Sequence, residues 1–218
     1  MALFHNRRDA GRRIAEQLSI RDLEPDPIVI GLARGGVPVA DEVGRRLQLP
    51  VDAVVVRKLG VPFQPELAFG AIATGDVQIL NDEVVRAAGI TDETIERISS
   101  REYDEMARRE HYYRGGDSPI SVDGRTVVLV DDGVATGASI KVAIEALRRR
   151  NPAQIIAAVP LAPPGVLDKL RGEADELICL RTPEPFGGVG AWYDDFGETT
   201  DDEVRRLLGG NSPTPNRL

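Results

Sequence analysis

Two adjacent carboxylates, Asp131 and Asp132, follow the uncharged apolar residues 127–130. Such an apolar run predicts a buried strand, so the two acids would emerge at its carboxyl end. In open α/β sheets, ligands bind outside the carboxyl ends of the strands. Carboxylates accept charge-assisted hydrogen bonds from hydroxyl groups, and an adjacent pair suits two hydroxyls of a sugar. We therefore expect a sugar to bind here.

A turn of small residues follows the two acids and opens a predicted helix. It supplies backbone N–H groups, two hydroxyls and a helix N-terminus, a combination that suits a phosphate. Its candidate binding residues are Val134, Ala135, Thr136, Gly137, Ala138 and Ser139. Together with the acids, the turn predicts a sugar phosphate held at both ends. A Walker phosphate loop is excluded because no Gly-Lys-Ser/Thr sequence follows the glycines. The alternative is an Asp-Asp turn that only caps a helix.

Two further segments place cations and glycines after predicted strands. Arg34, Gly35 and Gly36 follow the first strand, and glycines let a backbone approach a polyanion closely. Arg57 and Lys58 end the second strand. Both segments have an ordinary alternative, because strand-to-helix turns commonly contain glycine and two cations can form a solvated strand terminus.

The elements that would position these residues alternate along the chain. Apolar runs predict strands at residues 28–33, 51–56, 126–130, 155–159 and 176–180. Helical spacing predicts helices at residues 4–18, 37–47, 91–113, 137–150, 165–170 and 202–208. This alternation indicates an α/β fold with an open, mainly parallel five-stranded sheet flanked by helices. Residues 57–80, which are rich in glycine and proline, predict a mobile, hairpin-like loop.

Composition limits the chemistry that this chain can use. The formal net charge of −8 argues against nucleic acid or an anionic membrane as a partner, since such binders usually carry a basic excess. No apolar run is long enough to span a membrane, and the N-terminus lacks a secretory signal, so a cytoplasmic location is expected. One cysteine and two histidines cannot form an internal disulfide or a common zinc site.

Residues 127–139 resemble the 5-phosphoribosyl-1-pyrophosphate (PRPP) motif of the type I phosphoribosyltransferases. The resemblance implies that Asp131 and Asp132 bind the 2′- and 3′-hydroxyls of ribose and that residues 134–139 wrap the 5′-phosphate. The segment ending in Arg34, Gly35 and Gly36 is similar to the pyrophosphate loop of that family. The remaining pair, Arg57 and Lys58, resembles the Arg-Lys pair before the family's flexible catalytic loop, notably in adenine phosphoribosyltransferases.

The resemblance also implies a domain organisation and a reaction. Residues 1–208 would form one phosphoribosyltransferase domain, with a core at about 25–182 and an acceptor-binding hood from the N-terminal segment, from residues 182–208, or from both. Residues 209–218 are expected to form a disordered tail. The implied reaction transfers 5-phosphoribosyl from PRPP to a small nitrogenous acceptor, with a nucleobase expected, and releases pyrophosphate. Homodimers are common in the family, but the sequence itself leaves the oligomeric state open.

Catalytic roles follow from the same resemblance. Lys58 and Arg34 would stabilise the departing pyrophosphate, and Glu66 would assist a proton transfer. Mg²⁺ would bridge pyrophosphate and ribose oxygens, meeting Asp131 and Asp132 only through ribose hydroxyls or water.

Some questions stay open at the level of sequence. Ala135 stands where enzymes of 6-oxopurines usually carry a carboxylate, which argues against hypoxanthine or guanine as acceptor. Four aromatic residues near the C-terminus either stack on the acceptor or only pack the hood: Phe186, Trp192, Tyr193 and Phe196. A non-catalytic PRPP-sensing or nucleotide-sensing regulatory protein on the same fold is the alternative function. A phosphohydrolase with Asp131 as nucleophile fits poorly, because the usual Asp-x-Asp spacing is missing.

Overall fold

The computed structural model describes residues 2–75 and 77–209, and within them seven strands form a single sheet. The strands are β1 (Ile28–Ala33), β2 (Val51–Val61), β3 (Gln64–Ala73), β4 (Val77–Leu80), β5 (Thr126–Val130), β6 (Gln154–Leu161) and β7 (Glu176–Arg181). The helices are α1 (Arg7–Leu18), α2 (Gly36–Leu47), α3 (Asp82–Ala87), α4 (Asp92–Arg114), α5 (Ala138–Arg148), α6 (Pro164–Leu170) and α7 (Asp201–Gly209). A short 3₁₀ helix covers Val189–Trp192.

The sheet confirms the predicted fold class. Its order is β4-β3-β2-β1-β5-β6-β7, and the five strands from β2 to β7 in this order are parallel, as the five apolar runs predicted. In the pairing of β1 with β5, Gly31 lies opposite Val130, so the carboxyl ends of these two strands meet at one edge. The candidate segments at residues 34–36 and 131–139 both begin at that edge.

The sheet has seven strands where the sequence predicted five, because residues 57–80, here called the arm, add two antiparallel strands. The end of β2 pairs with β3, and β3 pairs with β4. Glycine permits this close pairing, since a Cβ on Gly70 would lie 2.5 Å from the carbonyl oxygen of Ile79. The pairing shifts register between Leu59 and Val61, which marks a bulge in the arm. The predicted hairpin character is thus correct, and its mobility stays a prediction.

Helices cover both faces of the sheet. One apolar cluster joins α1, α2, α4 and α7 to one face of the sheet, with Val29, Val128 and Ile156 among its buried strand residues. A second cluster places α5 and α6 on the other face, against Ile30, Leu129 and other strand residues. Adjacent positions of each central strand therefore serve opposite layers, which is why these strands are apolar throughout.

Helix boundaries follow their capping residues. The first helix was predicted from Phe4 but begins at Arg7, because the Asn6 side chain accepts a hydrogen bond from the Asp9 N–H at 3.0 Å. Helix α3, which the sequence analysis did not predict, is capped by Asn81 in the same way. Gly209 ends α7, and residues 210–218 of the predicted tail lie outside the described residues. In the described ranges, no helix has the length and apolar character that crossing a membrane requires.

Candidate functional site

The carboxylate pair lies at the end of β5 with one oxygen of each side chain engaged. Asp131 Oδ1 accepts the backbone N–H of Asp132 at 2.8 Å. Asp132 Oδ2 accepts Nε of Arg7, also at 2.8 Å. Within the described part of the chain, no hydrogen bond reaches the other two oxygens, Asp131 Oδ2 and Asp132 Oδ1. Each half-buried acid therefore keeps one acceptor for the hydroxyl of a ligand.

The proximity of the two acids makes their ionisation unfavourable. Burial raises the pKa of Asp131 well above its usual value, and the charge of Asp132 raises it further. Burial also raises the pKa of Asp132, an effect that the Arg7 guanidinium opposes. Burial and the neighbouring charge thus disfavour the ionised pair, and hydrogen-bond donors that bind these carboxylates would favour it.

The glycines after β1 allow the second segment to pack directly on the acids. A Cβ on Gly35 would lie 2.1 Å from Asp132 Oδ2. A Cβ on Gly36 would lie 2.6 Å from the carbonyl oxygen of Val130. No side chain fits at either distance, so only glycine brings this turn against the end of β5. The structure thereby brings together two of the three predicted segments.

Two helices begin beside the acids without a capping side chain. Helix α2 starts from Gly35 and helix α5 from Gly137, and neither residue can offer one. In α5 the first backbone hydrogen bond runs from the Lys141 N–H to the Gly137 carbonyl, which leaves the preceding amides of the first turn free of helical partners. By contrast, α1, α3 and α4 are all capped by side chains. The positive ends of two helix dipoles thus flank the carboxylate pair.

The predicted phosphate turn divides into an anchor and an exposed part. Val134 is buried, and its N–H donates to the carbonyl of Leu161 at 2.9 Å, so its amide is already used. Gly137 has a φ of +83°, a conformation that glycine adopts without strain. Of the remaining residues in the turn, Ser139 is half-buried, and three are exposed: Ala135, Thr136 and Ala138. Residues 135–139 are therefore the part that a phosphate could reach.

Arg34 follows β1 and lies on the α2 side of the acids. It is half-buried, and its Nη2 pairs with Oε1 of Glu198 at 2.7 Å, while its Nη1 lies 3.9 Å from Oδ1 of Asp201. Together with Gly35 and Asp132 it lines a cavity of about 550 Å³. The structure thus places this cation next to the start of α2, in a cavity that Asp132 also lines.

The remaining predicted residues are spread over the arm. Arg57 and Lys58 are neighbours in β2 and so face opposite sides of the sheet. Arg57 donates from Nε to Oε2 of Glu102 in α4 at 2.6 Å. Lys58 is exposed and, with Ser139, lines a cavity of about 270 Å³ beside α5. Glu66 is exposed in β3. Of these three, only Lys58 lies beside the phosphate turn.

An aromatic cluster lies against the carboxylate pair, and it includes Tyr193 and Phe196, which the sequence analysis named for the hood. The Tyr193 hydroxyl donates to the backbone oxygen of Asp132 at 2.6 Å. Its ring centroid lies 5.4 Å from that of Phe4 and 4.9 Å from that of Phe196. The Arg7 guanidinium covers the Phe196 ring at 3.9 Å. These rings pack on one another, which favours the packing interpretation over stacking on an acceptor.

The N-terminal segment and the region around Tyr193 form one structure. The N–H groups of Leu3 and Phe4 donate to the carbonyl of Trp192 at 2.9 and 3.0 Å, and the Asp194 N–H donates back to the carbonyl of Phe4 at 3.0 Å. Both segments that were predicted to supply a hood thus lie together over the acids. For Arg7 itself the sequence held no signal beyond its position in that segment.

Comparison with known proteins adds an independent line of evidence. A family model described as "Phosphoribosyl transferase domain" matches residues 3–190. The crystal structure of TT1426 from Thermus thermophilus is 42% identical in sequence, with a TM-score of 0.81 over 98% of this chain and 100% of that chain. Two Mycobacterium tuberculosis proteins, MT0597 and Rv0571c, carry provisional names as phosphoribosyl transferases and are 46% identical over 208 residues. That match covers 95% of this chain and 47% of theirs, so the chain spans about half the length of these curated relatives.

Proposed function

This chain belongs to the phosphoribosyl transferase domain family, and from that premise we propose that it transfers the 5-phosphoribosyl group of PRPP to a small nitrogenous acceptor. The observation that carries the proposal is the arrangement of charge at the sheet edge. Two carboxylates with free acceptor oxygens lie between the uncapped N-termini of α2 and α5. A ligand that matches this order has hydroxyls in the middle and phosphates at both ends, as PRPP does.

Each end of PRPP then has a matching group in the chain. Asp131 Oδ2 and Asp132 Oδ1 would accept hydrogen bonds from the 3′- and 2′-hydroxyls as a pair. The amides of residues 135–139 and the N-terminus of α5 would hold the 5′-phosphate. The N-terminus of α2, with Arg34 beside it, would hold the pyrophosphate. Lys58 lies nearer to the 5′-phosphate end than its predicted role at the leaving group requires, so it would reach the pyrophosphate only after a movement of the arm.

The chemistry asks for positioning and electrostatic stabilisation. The nitrogen lone pair of the acceptor forms a bond to C1 of ribose, the bond from C1 to the pyrophosphate oxygen breaks, and the electron pair leaves with pyrophosphate. Positive charge develops on the sugar ring, and negative charge grows on the leaving group. Arg34 and the α2 amides would stabilise the latter charge. The acceptor proton would pass to a base, for which Glu66 on the exposed arm remains the predicted candidate.

Mg²⁺ is expected to accompany the substrate. Among residues 2–75 and 77–209, no group of three or more His, Cys, Asp or Glu side chains could hold a metal ion by itself. A site without a full set of protein ligands suits Mg²⁺, because this ion keeps several waters and readily binds phosphate oxygens. Asp131 and Asp132 would meet it through water or the ribose hydroxyls. The bound ion would add positive charge beside the departing pyrophosphate.

The test is pyrophosphate release with PRPP and Mg²⁺ present, across a panel of nucleobases and aliphatic amines. We expect release with at least one acceptor, and its loss in the double variant D131N/D132N. Asp168→Asn is the matched control, since the Asp168 side chain is 74% exposed on α6 and pairs with Arg171. A wild-type protein that does not bind PRPP in calorimetry would overturn the proposal.

One observation favours the alternative function, a non-catalytic regulatory protein that senses PRPP. Arg57 is held by Glu102 and Arg34 by Glu198, so two of the three cations predicted for the site are already paired with carboxylates. A protein that binds PRPP tightly but releases no pyrophosphate with any acceptor would be a PRPP sensor. The same two measurements, binding and release, therefore separate the two functions.

A further inference from the structure

Arg7 makes three contacts that join the start of α1 to the site. Its Nε donates to Asp132 Oδ2 at 2.8 Å, and its Nη1 donates to the carbonyl of Gly197 at 2.6 Å. Its guanidinium carbon lies 3.9 Å above the centre of the Phe196 ring. The Arg7 and Asp132 side chains are 13% and 14% exposed, so the pair is largely withdrawn from water. Breaking an ion pair this buried leaves a charge without compensation, which costs far more than the loss of a surface pair.

The position of Arg7 decides which oxygen of Asp132 is available. Oδ2 is enclosed by the guanidinium on one side and by the Gly35 backbone on the other. Oδ1 is the oxygen that stays open for a hydroxyl. Without Arg7, nothing in the described structure would fix this choice, and the repulsion from Asp131 would favour a rotation of the carboxylate.

The charge of Arg7 also matters to the pair as a whole. Two carboxylates on consecutive residues repel each other, and the nearest cation in ion-pair contact with either acid, within the described ranges, is Arg7. A positive charge at this distance lowers the cost of keeping two acids side by side. Sugar hydroxyls donate better to a carboxylate than to a neutral acid, so the same charge favours sugar binding.

We propose that Arg7 is a positioning residue of the ribose site, which holds Asp132 so that its Oδ1 accepts a ribose hydroxyl. This inference rests on the proposed function, because it takes ribose as the ligand of the acids. It adds a residue from the N-terminal helix to a site otherwise built from the ends of β1 and β5. Arg7 acts through Asp132 and need not touch the substrate.

Calorimetric titration with ribose 5-phosphate alone tests the proposal without acceptor or metal. Two uncharged variants are used, Arg7→Gln and Arg7→Met, because Met keeps the length of the side chain and its packing on Phe196. We expect both variants to raise the dissociation constant for ribose 5-phosphate about tenfold or more. This factor corresponds to the loss of the charge-assisted hydrogen bond between a ribose hydroxyl and Asp132 Oδ1. Arg7→Lys, which keeps the charge, should restore most of the affinity.

Arg13→Gln is the matched control. Arg13 lies on the same helix, pairs with Asp9 at 2.8 Å and covers the Phe4 ring at 5.1 Å, but it does not contact the acids. Its variant should bind ribose 5-phosphate like the wild type. Melting temperatures recorded in parallel show whether each variant is folded, and the second uncharged variant serves if the first is not.

The outcomes separate this inference from the proposed function. If the wild type does not bind ribose 5-phosphate, the proposed function fails first. If the wild type binds and both uncharged variants bind equally well, the proposed function stands and the role of Arg7 is overturned. If Arg7→Lys binds as weakly as the uncharged variants, Arg7 only ties the overlying segments to β5, and the positioning role is overturned as well.

Discussion

The two adjacent acids at this sheet edge carry a cost in stability. Asp131 and Asp132 are consecutive, half-buried and like-charged, and burial together with the neighbouring charge raises the pKa of Asp131. A carboxyl group whose pKa is higher in the folded than in the unfolded state binds its proton more tightly when folded. Its contribution to stability therefore falls as the pH rises from the pKa of the unfolded state to the pKa of the folded state.

This sign predicts that Asp131→Asn stabilises the protein near neutral pH. The amide keeps an oxygen for the Asp132 N–H but carries no charge. We expect the free energy of unfolding to rise by about 1 kcal/mol at about pH 7. The gain should shrink toward about pH 4, the region of an unperturbed Asp, because the wild-type carboxyl is then protonated too.

Denaturant unfolding at the two pH values measures this difference. The exposed control Asp168→Asn should stay within about 0.5 kcal/mol at both. An Asp131→Asn variant that is less stable than the wild type near neutral pH would show that the carboxylate is satisfied and unstrained. Ribose 5-phosphate affinity of the same variant should fall, which would link the stability gain to a functional loss.

Sequence patterns predicted the residues at the centre of the candidate site, but they did not indicate Arg7 at its edge. Asp131, Asp132 and the turn to Ser139 were identifiable because a polar cluster interrupts an apolar run at a strand end. Arg7 was not, because its partner lies 125 residues away and its own segment looks like any amphipathic helix. Long-range contacts of this kind are set by how elements pack, and no local pattern records them.

At the scale of elements, the parallel strands were predictable, whereas for the arm only the hairpin character was. Strands β1 and β5 are buried on both faces, so their apolar runs stand out. Strand β3 contains a glycine and begins with exposed positions, β4 has only four residues, and their pairing depends on close backbone contact at Gly70. Propensity alone penalises glycine in a strand, and here the tertiary context overrides it.

A buried ionic network ties α4 to the sheet. Asp52, which is 4% exposed, accepts Nε of Arg114 at 2.9 Å through Oδ1 and the N–H of Ile120 at 2.9 Å through Oδ2. Arg114 in turn donates from Nη2 to the carbonyl of Ala53 at 2.7 Å. The end of α4 and the segment before β5 are thereby fixed to the start of β2.

Removing one partner should be far more costly than an average substitution. We expect Asp52→Ala to lower the free energy of unfolding by about 3 kcal/mol, because the buried Arg114 guanidinium loses its closest carboxylate and keeps only Glu110, at 3.7 Å. Asp104→Ala, on the exposed side of the same helix, should change it by less than about 0.5 kcal/mol. Equal losses in urea unfolding for the two variants would contradict the structural role of the network.

At the scale of the whole molecule, the N-terminal segment and the region around Tyr193 pair with each other beside the carboxylate pair. Phe4 is 1% exposed and packs with Ala10, Leu161 and Tyr193. Since Tyr193 also holds the backbone of Asp132, this cluster joins the overlying segments to β5. The sequence analysis placed both segments near the acceptor, but their mutual pairing became visible only in three dimensions.

Two phenylalanines provide a direct test of this closure. Phe4→Ala should lower the free energy of unfolding by about 3 kcal/mol, as expected for a fully buried ring. Phe63→Ala is the matched control, because Phe63 lies at the tip of the arm with a relative exposure of 103% and should contribute almost nothing. Thermal and urea unfolding compare the two, and a similar loss for both would show that the cluster does not hold the molecule together.

The bulge in the arm has a consequence for how this protein can vary. Because alternate strand residues face opposite sides, an insertion before Arg57 would turn this arginine toward α5 and Lys58 toward α4. The register shifts lie further out, between Leu59 and Val61. Insertions or deletions beyond that point can alter the reach of the arm while both cations keep their sides. The tip could thus become longer or shorter during evolution, and the two register shifts between Leu59 and Val61 mark the inner boundary of such change.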